Sequence, residues 1–135
     1  MTIVNFVFTK MEVEKLQARK GGIKISNNVG ILNVKEATLP VKSDKQDALD
    51  VEFKFETNYS PDIGKIELNG KLIYVGTKEE VEKTLKKWKK ENKGEKELMT
   101  KIMNYILDKC NIQAIILSQY MNLPCPVPLP RAKTN

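Results

Sequence analysis

The stretch "ALDVEFKFETNYS" alternates without a break. In an extended chain Leu49, Val51, Phe53, Phe55, Thr57 and Tyr59 face one way, and Asp50, Glu52, Lys54, Glu56 and Asn58 the other. One buried side and one wet side define a strand of an antiparallel sheet. "SPDIG" then supplies a turn. In "GKIELNGKLIYVG" the pair Asn69-Gly70 could close a two-residue hairpin. Yet Ile66, Leu68, Gly70, Leu72 and Tyr74 keep alternating straight through it. We therefore expect one long strand, hairpinned to the previous one through "SPDIG", with Gly70 at a bend.

The first half of the chain alternates less regularly. In "VNFVFTKMEVEKLQ", Val4, Phe6 and Phe8 share a face, Met11 and Val13 take the other, and Leu16 returns to the first. A bulge or twist near Thr9 and Lys10 accounts for the change. Gly21-Gly22 reads as a turn. A second strand region follows, with Ile23, Ile25, Val29 and Ile31 in one phase and a shift at Leu32 and Val34. "KSDKQD" reads as a polar loop.

After Gly76 the period becomes helical. Thr77 and Glu80 have capping-box spacing. Val81, Leu85 and Trp88 form an apolar stripe, surrounded by Lys83, Lys86, Lys87, Lys89 and Lys90. Gly94 interrupts, and a longer helix starts near Glu95. Met99, Ile102, Ile106, Cys110, Ala114, Leu117 and Met121 recur at three- and four-residue steps; Leu98, Met103, Leu107, Ile115, Ile116 and Tyr120 widen the stripe. That is more apolar surface than contact with one sheet requires. Either the helix is buried throughout, or it lies between its own sheet and a second subunit of a homo-oligomer. The expected fold is α+β: a four-stranded antiparallel sheet followed by two C-terminal helices packed on one face. The 135 residues fit one domain, with the sheet over 1–76, the helices over 77–122 and an extended Pro-rich tail over 123–135.

Several chemistries are excluded. The chain has no histidine, which removes Ser-His and Cys-His catalysis. Cys110 and Cys125 without histidine make a poor metal site and read as free thiols. No glycine-rich phosphate loop is present. No catalytic residue, metal or cofactor is expected. The apolar run Ala114 to Leu117 is far too short to span a bilayer, so a cytoplasmic chain without membrane insertion is expected. The net charge of +6 is almost entirely lysine, with arginine only at Arg19 and Arg131. Lysine mixed with glutamate fits a solvated surface; contact with RNA or the ribosome is the alternative. Single-strand binding wants several stacked aromatics, and the basic helix has only Trp88.

The chain closes on "NLPCPVPLPRAKTN". Pro124, Pro126, Pro128 and Pro130 are spaced by two, which fails the i, i+3 register of polyproline recognition. In an extended chain Leu123, Cys125, Val127 and Leu129 project to one side. The prolines stiffen the segment and donate no N–H. The tail therefore reads as a strap with an apolar underside, covering the core or bordering a groove.

Four antiparallel strands, the first phase-shifted, then a long helix ending in a Pro-containing apolar loop: this order resembles the SecB protein-export chaperone family. "VEFKFETNYSPDIGKIELNGKLIYVG" looks like its third and fourth strands, and "KIMNYILDKCNIQAIILSQYMNLPCPV" like its main helix and connecting loop. The resemblance implies a homo-oligomer, a dimer or tetramer, that holds unfolded polypeptides in hydrophobic grooves without ATP. It implies no enzyme and no cofactor. The helical stripe and the tail suit that mode, and the surface expected to bind polypeptide or to join subunits is Ile115, Ile116, Tyr120, Leu123, Val127 and Leu129. The basic charge departs from the acidic bacterial members, which dock an export ATPase partly through that charge.

Overall fold

The computed structural model describes residues 2–16, 21–38, 46–91 and 93–134. Its elements are β1 (Thr2–Lys15), β2 (Lys24–Ala37), β3 (Gln46–Ser60), β4 (Gly64–Thr77), α1 (Lys78–Glu91) and α2 (Lys96–Tyr120). The strands form one antiparallel sheet in the order β1-β4-β3-β2. This is a Greek key: β2, β3 and β4 follow one another, and β1 lies beside β4. Both helices pack on the sheet face that carries Leu49, Val51, Phe53, Phe55 and Tyr59, all of them buried. Residues 42–45 of the expected polar loop lie outside the described residues.

The long hairpin follows the alternation. Ser60, Pro61 and Asp62 make the turn, closed by the Ile63 amide donating to the Tyr59 carbonyl at 3.0 Å. β4 runs unbroken through Gly70, which pairs with Phe53 on one side and Phe8 on the other. A Cβ at Gly70 would meet the Phe53 ring and the Val7 carbonyl, so the missing side chain is what lets Phe53 lie across β4. Phe6 stacks on Phe53 with ring centroids 5.1 Å apart, and Phe8 meets it edge-on at 6.2 Å.

β1 carries two irregularities. The register shifts between Phe8 and Lys10, which puts Met11 and Val13 opposite Leu68 and Ile66, on the same face as Phe8. This is the expected bulge. A second shift between Val4 and Val7, with Asn5 at φ +53°, separates Val4 from Phe6. Ile3 pairs with Tyr74 on the core face instead, and Val4 is exposed. β2 shifts at Leu32, which is left exposed while Val34 is buried opposite Val51.

Thr77 caps α1, its hydroxyl accepting from the Glu80 amide at 3.2 Å. The reciprocal half of a capping box is absent, because Tyr74 takes the Glu80 carboxylate at 3.1 Å. α1 buries Val81 and Thr84, with Leu85 and Trp88 half-buried. α2 buries Leu98, Ile102, Ile106, Cys110, Ala114 and Ser118, one row at four-residue steps. No helix among the described residues is long and apolar enough to cross a membrane.

On the sheet's outer face Glu67 gathers the charges. The Lys10 ammonium donates to it at 2.6 Å, with Lys54 at 3.2 Å and Lys65 at 3.9 Å. Hydrogen bonds from Lys10 and then Lys54 hold the carboxyl down at about 2, from an ordinary 4.5. A depressed acid stabilises the fold above its unfolded pKa, and that contribution is lost as pH falls through the folded value. Stability in urea should therefore decline between pH 4.5 and about 2. Glu67→Gln should be less stable at neutral pH and flatter across that window; an unchanged acid profile would contradict the assignment.

Candidate functional site

α2 ends in a Schellman motif. Asn122 sits in the left-handed region at φ +54°. The Leu123 amide donates to the Ser118 carbonyl at 2.8 Å, and the Asn122 amide to the Gln119 carbonyl at 3.2 Å. Asparagine tolerates this conformation better than most side chains. The motif reverses the chain and drives Leu123 into the core against Gly64.

Beyond Leu123 the tail is pinned to the ends of β2 and β3. The Tyr59 hydroxyl donates to the Pro124 carbonyl at 2.7 Å. The Asn27 amide nitrogen donates to the Pro126 carbonyl at 2.9 Å, while its oxygen accepts from the Thr57 hydroxyl at 2.6 Å. The Pro126 carbonyl permits only that orientation of the Asn27 amide, since a carbonyl cannot donate, and the Thr57 hydroxyl turns its proton to suit. Burial, with a smaller contribution from nearby Cys125, pushes the Tyr59 phenol up to about 12, so it remains a donor throughout the ordinary pH range.

A groove of about 970 Å³ opens beside the tail, lined by Ile25 and Asn27 of β2 and by the tail from Pro124 to Arg131. Val127 is half-buried in it, and Leu129 is 51% exposed at its lip. β2 is one of the sheet's two edge strands, the other being β1. Among the described residues, no backbone group pairs with its outer edge.

The tail differs from a flat strap. Leu123 and Pro126 are the buried residues, and the chain bends at Pro126 and Val127. Cys125 and Val127 are half-buried between exposed Pro124 and Pro128, so the underside largely alternates as far as Val127, with Pro126 buried as well and Leu129 exposed. The expected row of Leu123, Cys125, Val127 and Leu129 thus runs inward as far as Val127 and turns outward at Leu129. Leu123 belongs to the core, whereas Val127 and Leu129 belong to the groove.

The helical residues lie elsewhere. Ile116 (42% exposed) and Tyr120 (79%) form a row with Ile112 (60%) on the outward side of α2, away from the groove lining; Ile115 is half-buried beside it. The six expected residues thus fall on two surfaces and in the core. Ile112 was missed, although it lies one turn before Ile116 and four-residue spacing could have found it. Asn27, Thr57 and Tyr59 were also missed as tail anchors, because nothing local in the sequence links them to residues near 125. Cys110 is buried, its thiol pushed up to about 12 by burial, and Cys125 is half-buried; both are free.

This arrangement has the fold of SecB-like chaperones. The SecB-like chaperone Rv1957 of Mycobacterium tuberculosis, solved in complex with a ChAD peptide from the Rv1956 HigA1 antitoxin, superposes with a TM-score of 0.61. The match covers 98% of this chain and 89% of that one, at 12% identity. No protein-family model matches the chain, and no curated protein matches it by sequence.

Tyr59→Phe should cost about 1 kcal/mol, the usual net value of one hydrogen bond. It should also loosen the tail. We expect Cys125 to react faster with a thiol reagent in the variant while buried Cys110 stays protected. An unchanged Cys125 rate would show that the hydroxyl does not hold the tail.

Proposed function

We propose that this chain is a SecB-like, ATP-independent holdase that binds unfolded polypeptide in the groove between the proline tail and β2. The observation that carries the proposal is the groove itself, with apolar residues on the tail and an edge strand opposite. A client segment would lie extended along β2 and pair with its outer N–H and C=O groups, as in β-strand addition. Alternate client side chains would rest on Ile25, Val127 and Leu129. The tail cannot take that place itself, because its prolines have no N–H to donate. That the Mycobacterium tuberculosis neighbour was solved with a bound peptide supports polypeptide binding by this fold. The role is binding without catalysis, in the cytoplasm.

Affinity would come from apolar burial, roughly 25 cal/mol per Å² before ordering costs. Moderate salt barely weakens that term. The full chain should suppress aggregation of an unfolded client and keep it bound at about 300 mM salt. Ending the chain after Val127 removes Leu129 but leaves Leu123 and Pro126 in place, so the fold should survive and client affinity should fall about tenfold. The rival is an RNA- or ribosome-associated role for the exposed lysines of α1. Tight RNA binding that falls on the order of a thousandfold between about 50 and 200 mM salt, with no effect on aggregation, would establish the rival instead.

The row Ile112, Ile116 and Tyr120 we assign to contact with a second copy, since it leaves three large apolar side chains exposed on one side of α2. Light scattering at micromolar concentration should show an oligomer that Ile116→Asp converts to monomer. A wild-type monomer would remove this assignment and leave the groove untouched.

A further inference from the structure

A second groove shares no residue with the first. It lies where the edge of β2, the end of α1 and the first turns of α2 meet, and encloses about 600 Å³. Ile31, Trp88, Met99 and Met103 supply its apolar surface, and Lys93 and Lys96 flank it. The volume is within the range of ligand pockets, roughly 300 to 1,000 Å³. Gly94 is part of its construction: a Cβ there would meet Met99 at 2.5 Å and Thr84 at 3.1 Å, so a larger residue would displace the Met99 side chain from the groove.

The electrostatics favour one sign. Among the described residues no carboxylate lines the groove, and neither Lys93 nor Lys96 makes an ion pair. The nearest acid in the linker, Glu95, is already taken by Lys87 at 3.0 Å. α2 starts at Lys96 with no side-chain cap hydrogen bond, and Glu97 in its first turn does not line the groove. The two methionines are unbranched and polarizable, and such side chains re-pack around varied apolar groups.

We propose that this groove docks a polypeptide segment in which one or two large apolar side chains are flanked by carboxylates. The apolar groups rest on Ile31, Trp88, Met99 and Met103, and the carboxylates meet Lys93 and Lys96. A nucleic acid fits less well, because a phosphate backbone gains nothing from an aliphatic floor and base stacking would find only Trp88. The inference is independent of the holdase groove, which lies at the start of β2 beside Ile25 and Asn27 and shares no lining residue with this one.

Trp88 is the chain's one tryptophan, so its fluorescence reports on this groove alone. The full chain is titrated with a short synthetic peptide carrying a Phe-Leu pair between glutamates, and with the same peptide carrying lysines in their place. The acidic peptide should shift Trp88 emission saturably, and the basic one should bind at least tenfold more weakly. Lys93→Glu with Lys96→Glu should reverse that order; Lys93→Gln with Lys96→Gln should weaken the acidic peptide without reversing it. Both lysines border solvent, so the fold should tolerate these changes. Ending the chain after Val127 should leave the Trp88 response unchanged. No emission change, equal affinity for both peptides, indifference to the lysine changes, or a Trp88 response to single-stranded RNA in place of peptide would each overturn the proposal.

Discussion

The left-handed turn at Asn122 determines where the last part of the chain goes. Two backbone hydrogen bonds close the end of α2, and Leu123 leaves the helix pointing into the core. Had α2 continued, the apolar row of its outward face would have run on into solvent. Instead the tail crosses back to the ends of β2 and β3, where Tyr59 and Asn27 hold two of its carbonyls. A proline-rich segment has few hydrogen bonds of its own, so these side chains supply its order. The groove exists because the tail is held this way and because β2 is left at the sheet edge.

The sheet supplies the rigidity that this requires. Gly70 lets Phe53 lie flat across β4, and the two irregularities of β1 bring Phe6 and Phe8 onto the same ring. Phe6 also meets Tyr105 of α2 at 5.6 Å, tying the edge strand to the helix. On the opposite face Glu67 replaces a hydrophobic layer with three lysine contacts. One face is therefore fixed by packing and the other by charge, which matches the alternation along β3.

Much of this was legible in the sequence, for identifiable reasons. Alternation placed β3 and β4, because a period of two has one structural meaning over so many residues. The bulge at Thr9 showed as a phase change, and Thr77 and Gly94 marked the helix ends. The irregularity at Asn5 did not show, because Val4 and Phe6 alternate as well in sequence as any regular pair. Alternation described the tail as far as Val127, but not the burial of Pro126 or the exposure of Leu129, which follow a bend at Pro126 and Val127. The separation of Ile116 and Tyr120 from Val127 and Leu129 depends on a reversal at one asparagine, which no periodicity encodes. The groove around Trp88 depends on how two helices meet a strand edge, and the stripe alone presented that residue as core.

The central claim is that an extended client occupies the space between β2 and the proline tail. Backbone hydrogen exchange, measured with and without an unfolded client, tests it directly. The account predicts new protection at the outer amides of β2 around Ile25 to Val29 and at the tail amides of Val127 and Leu129, with β3 and β4 unchanged. Protection confined to α1 and the start of α2, or none at β2, would contradict it.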